Sequence, residues 1–239
     1  MRDGAAQAGT LYGLGVGPGD PELLTLKALR ILRAAPVLAY PAPADGHSMA
    51  RAIAAPHLPG GQTEIAIRMP LDAARFPADE IYAAAARNIS QHLVAGRDVA
   101  TLCEGDPFFY GSFMYLFARL AEAHRIEVVP GVSSLTACAA ALDAPLAARN
   151  DVLSVVPAPL DEYQLKARLE GCDAAAIIKV GRHVAKVRRV LQELGLESRA
   201  RYIERASLAA ERILPLSEAA DPAPYFSMVL VHRRGEAWM

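Results

Sequence analysis

Three short segments carry the residue types best suited to chemistry: Gly15-Val-Gly-Pro-Gly-Asp20, Glu104-Gly-Asp-Pro107 and Pro130-Gly-Val-Ser-Ser134. Each follows a short apolar run and precedes a helical pattern, so each reads as the loop between a buried strand and a helix. Glycine there lets a ligand approach the main chain, and the free amides of a helix start supply donors. Taken singly, each loop is a tight turn with a helix cap. Three of them on one side of a parallel sheet point to a shared pocket, because ligands of open sheets gather at the carboxyl ends of the strands. The run Gly13-Leu-Gly-Val-Gly17 satisfies a dinucleotide fingerprint only in part, since Pro18 and Asp20 intervene before any third glycine within a helix. An aspartate at the helix start would also repel a pyrophosphate. A nucleoside with a cationic sulfonium suits carboxylates and carbonyls at the loop mouths better.

Other chemistries lack their signatures. There is no Gly-x-x-x-x-Gly-Lys phosphate loop and no Gly-x-Ser-x-Gly nucleophile elbow. His47, His57, His92, His124, His183 and His232 are scattered, none paired at helical ligand spacing, so no metal is expected. Cys103, Cys138 and Cys172 are odd in number and far apart, and read as reduced, buried thiols of a cytoplasmic protein.

The elements that must position these loops follow from the apolar pattern. Thr10 to Val16 and Pro36 to Tyr40 read as strands flanking a helix that Asp20 caps, Pro21 opens and Leu32 ends. Further strands are expected at Glu64 to Met69, Asp98 to Leu102 and Arg125 to Val129, with helices at Ser48 to Ala55, Ala78 to Ala95, Gly111 to Ala123 and Ser133 to Leu142. Beyond a linker at 143–151, strands at Val152 to Val156, Ala174 to Val180 and Arg201 to Glu204 alternate with helices. Glu211 to Leu214 and Phe226 to Val231 follow with no helix between them. This rhythm predicts an α/β chain of two domains, 1–145 with a parallel sheet and 146–239 with a mixed one. The length of 239 residues and the 53% hydrophobic content agree with that and exclude disorder. Lys and Arg number 25 against 26 Asp and Glu, so no basic excess points to a nucleic-acid partner. No apolar run approaches the ~18 residues a bilayer span needs, and Met1 to Thr10 has no apolar signal core.

The loops resemble a known family. Leu11-Tyr-Gly-Leu-Gly-Val-Gly-Pro-Gly-Asp-Pro-Glu-Leu-Leu-Thr-Leu-Lys-Ala28 is similar to the opening signature of the tetrapyrrole methylases, S-adenosylmethionine-dependent enzymes of corrinoid and sirohaem biosynthesis. Gly105 to Gly111 and Pro130 to Ser134 resemble the next two motifs, and the likeness runs from about Thr10 to His232. Tyr40-Pro-Ala-Pro, Ser48 to Arg51, Cys103 to Pro107, Ile178 to His183, Ile203 to Ser207 and Glu211-Arg212 most resemble members that methylate carbon 20 of precorrin-2 to give precorrin-3A in cobalamin biosynthesis. The resemblance implies two α/β domains with the site in the cleft between them, a homodimer, and S-adenosylmethionine held largely by backbone, leaving as S-adenosylhomocysteine. Carried over by position, Pro18 would line the methionine side. Glu104, Gly105 and Asp106 would contact the donor through main chain and carboxylate, with Phe109 beside it, and Ser133 and Ser134 follow the Pro-Gly turn. Val180 and Ala206 would offer backbone groups to the adenine. The aspartate proposed as base in sirohaem-type relatives is replaced by Pro41, its lysine partner has no equivalent, and Arg68 lies nearby in the pattern.

Methyl transfer from a sulfonium is an in-line displacement, so positioning matters more than covalent help. Precorrin-2 is enamine-like at its bridging carbons and needs no strong base for attack. Glu104 is either an acceptor for the departing proton or a capping carboxylate, and the base stays unassigned. A polycarboxylate substrate on a chain of net charge -1 calls for a local basic cleft. Arg51, Arg68, Arg149, Arg182 and Arg205 are its candidates, at least two of them in contact with substrate. His47 and its loop could form a lid. Competing readings are a cobalt-bearing factor II as substrate, an RNA or diphthamide methylase, a non-catalytic tetrapyrrole carrier, and a nucleotide-dependent oxidoreductase.

Overall fold

The computed structural model describes residues 8–69 and 79–235, which divide into two units, Met1–Ser133 and Ser134–Met239. Most of the Met1 to Thr10 segment and Ala78 lie outside the described residues. The first unit holds five strands, β1 (Leu11–Gly15), β2 (Val37–Pro43), β3 (Thr63–Met69), β4 (Val99–Cys103) and β5 (Ile126–Val129). They form one parallel sheet in the order β3-β2-β4-β1-β5. Helices α1 (Leu26–Ala34) and α2 (Met49–Ala54) cover one face, burying Ile31, Leu32 and Ile53 against Leu14, Leu38 and Leu102. On the opposite face α3 (Asp79–Val94) and α4 (Phe113–Leu120) set Tyr82, Ile89, Phe113 and Leu116 against Leu11, Val37 and Val99. The crossovers after the neighbours β1 and β4 therefore leave to opposite faces. Such a switch point, at the carboxyl ends of neighbouring strands, is where open sheets bind ligands.

One element starts later than its sequence suggests. Asp20 caps only a single 3-10 turn, Pro21–Leu23, by accepting the Glu22 amide at 2.8 Å. Leu24 is then extended, and Thr25 caps α1 by accepting the Ala28 amide at 3.2 Å. Both residues are good caps, and the second one starts the helix because it leads into the buried stripe Ala28, Ile31 and Leu32.

The second unit contains α5 (Ser134–Ala141), β6 (Leu153–Pro157), α6 (Glu162–Glu170), β7 (Ala174–Ile178), α7 (Val184–Glu193), β8 (Ala200–Glu204), β9 (Arg212–Leu214) and β10 (Ser227–His232). Its sheet runs β6-β7-β10-β8-β9, parallel between β6 and β7 and antiparallel elsewhere. Both faces are covered: α6 and α7 pack on Ala175, Ile177, Tyr202 and Val229, and α5 on Ala176, Ile178, Ile203 and Leu230. Two-sided burial is why β7 and β10 read as continuous apolar runs rather than alternating ones.

The division between units falls at Ser133/Ser134 rather than at 145/146, because α5 buries Leu135 and Cys138 in the second sheet. The segment 143–151 belongs with that sheet and is no linker. Asp151 anchors it, accepting the Ala148 amide at 2.8 Å, both terminal nitrogens of Arg234 at 2.7 and 2.9 Å, and His232 Nε2 at 3.0 Å. The Arg234 amide donates to His232 Nδ1 at 3.3 Å, so Nε2 carries the proton given to Asp151. The Arg234 guanidinium first, then the Ala148 amide and His232, hold the Asp151 carboxyl well below the usual carboxylate range. A depressed folded-state pKa adds stability above the unfolded value of about 4 and loses it as pH falls toward the folded value. Asp151→Asn should therefore lower the melting temperature by several degrees at pH 7, and calorimetry should show the deficit shrinking steadily below about pH 4.

Candidate active site

The corners after β1, β4 and β5 meet in main-chain contact. The Val16 amide donates to Cys103 O at 2.9 Å, and Gly17 and Gly105 exchange bonds, Gly105 N to Gly17 O at 2.8 Å and Gly17 N to Gly105 O at 3.4 Å. A methyl group on Gly131 would lie 2.0 Å from Gly105 O and 2.7 Å from Gly15 Cα, and one on Gly15 would lie 2.5 Å from Gly131 Cα. The three glycines therefore leave no room for side chains between the loops. Gly105 has φ +63°, and the direction its side chain would take meets only Val132 O, at 3.9 Å. That open side is an approach for a ligand to the backbone.

Asp106 ties the corners. Its Oδ1 accepts the Phe108 amide at 2.9 Å and its Oδ2 the Gly131 amide at 3.0 Å. Both carboxylate oxygens thus hold backbone, a loop-tying role that stands beside the ligand contact the resemblance implies. Glu104 Oε1 accepts the Ala50 amide at 3.1 Å, beside Ser48 Oγ, which accepts the Arg51 amide at 3.2 Å. Of its two readings, the geometry favours the cap. Burial pushes the Glu104 carboxyl up, while the amides it accepts pull it down less strongly. Pro18 and Ser133 are half-buried, and Ser134 is the exposed first residue of α5. Phe109 is 38% exposed and sits edge-on to Tyr110, with ring centroids 5.1 Å apart. Pro41 lies inside β2, opposite Ile67, because the strand continues to Pro43.

In the second unit, Val180 and Ala206 are buried at the same edge of the sheet, just past the ends of β7 and β8, which both pair antiparallel with β10. Lys179, Arg205 and Ser207 there have φ of +58°, +52° and +62°. Each left-handed non-glycine residue costs of order 1 kcal/mol, and such strain gathers at functional loops. The Arg205 amide donates to Phe226 O at 2.6 Å, and the Ala223 amide to Gly181 O at 3.2 Å, which hold these loops in place.

The five candidate arginines separate into groups. Arg51 and Arg68 line one cavity of about 340 Å³ in the first unit, with Tyr40, Ala42, His47 and Ser48. Arg182 and Arg205 belong to the second sheet's strained edge, and Arg205 lies 3.7 Å from the buried Glu204, which Arg212 approaches at 3.6 Å. Arg149 is exposed near Asp151, at the opposite edge of that sheet, where β7 begins and β10 ends. Sequence reasoning missed the cluster that Tyr40 and Glu64 form with Arg51. Tyr40 donates to Glu64 Oε2 at 2.5 Å, and Arg51 forks onto Glu64 through Nε at 3.1 Å and Nη2 at 2.9 Å. The signal was present in β3, where Ile65 and Ile67 enter the core and the alternate positions Glu64 and Arg68 do not. Among the described residues no group of three His, Cys, Asp or Glu is placed to hold a metal, and no helix is long and apolar enough to cross a membrane.

One unit with an open parallel sheet and backbone corners at its switch point, and a second unit with a mixed sheet, define an α/β protein of the two-unit class. The chain matches the model of the Tetrapyrrole (Corrin/Porphyrin) Methylases over residues 10–220, and it belongs to that family. It is 44% identical over 232 residues to cobalamin biosynthesis protein CobIJ of Mycobacterium tuberculosis, a match covering 93% of this chain but 46% of that protein, so it spans about half of that relative's length. It is 42% identical to the precorrin-2 C(20)-methyltransferase of Sinorhizobium sp, covering 93% of this chain and 95% of the other. Against the cobalt-precorrin-2 C(20)-methyltransferase of Salmonella typhimurium it is 32% identical, covering 95% and 98%. Among solved structures it is similar to the cobalt precorrin-4 methyltransferase CbiF, with 25% identity, TM-score 0.73, and coverage of 95% of this chain and 96% of that one. The uroporphyrin-III C-methyltransferase of Thermus thermophilus complexed with S-adenosylhomocysteine is 26% identical, with TM-score 0.66 and coverage of 94% and 92%.

Two substitutions test the corner geometry. Gly131→Ala forces its methyl into the Gly105 carbonyl and should cost about 1–3 kcal/mol, read as a lower urea midpoint at unchanged m-value. Glu104→Gln removes a buried charge while keeping an acceptor for Ala50. Because the folded-state carboxyl is raised, the variant should match or exceed the wild-type melting temperature at neutral pH, and the gain should vanish below about pH 4, where the native carboxyl is protonated in both states.

Proposed function

We propose that this chain is an S-adenosylmethionine-dependent C-methyltransferase that methylates carbon 20 of precorrin-2 to give precorrin-3A in cobalamin biosynthesis. The observation that carries the reading is the junction of Gly15, Gly105 and Gly131, a side-chain-free corner with the Gly105 backbone open to one side. The names of the C20-methylating relatives supply the acceptor, and the S-adenosylhomocysteine in the Thermus thermophilus structure supplies the donor.

The residues present fit that donor. The three loops carry the carboxylates of Asp20, Glu104 and Asp106 and no lysine or arginine, an environment that attracts a sulfonium and repels a phosphate. The donor, when bound, supplies an electrophilic methyl group. This chain's part is to bind and orient: Gly17, Gly105 and Gly131 offer main chain, Pro18 and Phe109 flank it, and Ser133 and Ser134 follow the third corner. For the adenine, the resemblance to the family implies backbone groups of Val180 and Ala206. Asp106 keeps two corners in register, and Glu104 ties the second corner to α2. No base is assigned, since Glu104 is engaged as a cap and Pro41 has no proton to exchange.

The reading includes a homodimer, which would cover the exposed Phe108, Tyr110 and Met114, and a cytoplasmic setting, which suits three free, buried cysteines. Anoxic incubation with S-adenosylmethionine and either precorrin-2 or its cobalt complex, followed by mass spectrometry, tests it. The metal-free substrate should gain one methyl group, at the higher rate of the two. A faster reaction with the cobalt complex would make that the substrate, and transfer to neither would overturn the reading in favour of a non-catalytic carrier.

A further inference from the structure

We propose that the cavity between α2 and the carboxyl ends of β2 and β3 is a seat for one carboxylate arm of the macrocyclic acceptor, with Glu64 and Tyr40 as positioning residues for Arg51. The inference rests on the methyltransferase reading and names the acceptor-binding part of its site. The cavity, about 340 Å³, has room for an acidic arm and part of the pyrrole bearing it.

Its two guanidinium groups are held by the protein itself. Arg51 gives Nε and Nη2 to Glu64, and Arg68 gives Nη1 to Pro43 O at 3.1 Å and to Gly46 O at 2.9 Å. A guanidinium fixed along one edge presents its remaining N–H groups in a set direction, so little side-chain freedom is left to lose on binding. The β2–β3 register brings this about. Ala42 lies opposite Arg68 and Tyr40 opposite Ala66, so Tyr40, Ala42 and Arg68 share the face on which α2 carries Arg51.

Charge then limits the occupant. Among the described residues the lining holds Arg51, Arg68 and His47 and no acid, and with Glu64 paired to Arg51 the two guanidiniums leave a single positive charge, which one carboxylate neutralises. Tyr40 and Arg51 together hold the Glu64 carboxyl below its ordinary range, so it remains an anion and keeps the fork in place. The seat is also joined to the donor corner. Ser48 caps α2, which receives the Glu104 carboxylate at Ala50, one residue before Arg51, and Glu104 precedes the open Gly105.

Steady-state kinetics with precorrin-2 and S-adenosylmethionine test the seat. Arg51→Ala and Arg68→Ala should each raise the KM for precorrin-2 by about tenfold or more, with a smaller fall in kcat and no change in the KM for the donor. Glu64→Gln should raise the acceptor KM by a smaller factor, and Arg51→Lys should not restore it, because an ammonium lacks the fork. The decisive readout is discrimination between precorrin-2 and its methyl esters. Wild type should prefer the acid, and the Arg51→Ala/Arg68→Ala pair should lose most of that preference, whereas damage to the fold would weaken acid and ester alike. If an alanine variant also loses S-adenosylhomocysteine binding by calorimetry, the uncharged Arg51→Gln and Arg68→Gln variants take its place in the comparison. An unchanged acceptor KM in both arginine variants, or an undiminished preference for the acid, overturns the seat. Absence of methyl transfer by the wild type overturns the methyltransferase reading instead.

Discussion

The structure depends on a contact that only glycine permits, the main chains of Gly15, Gly105 and Gly131 touching where β1, β4 and β5 end. A side chain on Gly15 or Gly131 would drive the loops apart by the width of a methyl group. With none present, the Gly17–Gly105 bridge closes and the Gly131 amide reaches Asp106. The result is a surface of peptide groups rather than side chains, at the point where neighbouring crossovers leave to opposite faces of the sheet. A ligand lying there meets fixed dipoles that need no rearrangement on binding.

That junction reaches outward through one carboxylate. Glu104 leaves the second corner to cap α2, and α2 carries Arg51 over the β2–β3 face. A shift at the second corner therefore bears on the arginine fork through a single half-buried hydrogen bond. Burying a carboxylate for this purpose is costly, as its raised pKa records, and the cost is one a purely structural cap such as Ser48 would not incur. The second unit stores strain in a comparable way. Lys179, Arg205 and Ser207 adopt backbone conformations that glycine would adopt freely, yet the side chains are kept there.

Much of this was legible in the sequence, and what was not has physical causes. The parallel strands and their loops follow from short apolar runs ending in glycine, and the mixed second sheet from two strands without an intervening helix. The start of α1 was misplaced because Asp20 and Thr25 are both competent caps, and the choice between them lies in tertiary packing. Helix α5 was grouped with the strands it follows, since contiguity says nothing of which sheet will bury Leu135 and Cys138. Asp106 was legible as a functional carboxylate but not as a tie, because its partner Gly131 is remote in sequence. The arginines were legible as charges only. Strand register alone brings Arg68 to the Arg51 cavity, and chain direction in a mixed sheet alone sends Arg149 to the far edge of the second unit from Arg205.

The central claim is that the glycine junction is the donor site. It is tested most directly by following the backbone amides by nuclear magnetic resonance while S-adenosylhomocysteine is titrated in. The account predicts that the largest shift changes fall on Gly17, Gly105 and Gly131 and their loop neighbours. Perturbations confined to other surfaces, with these three amides unmoved at saturation, would contradict it.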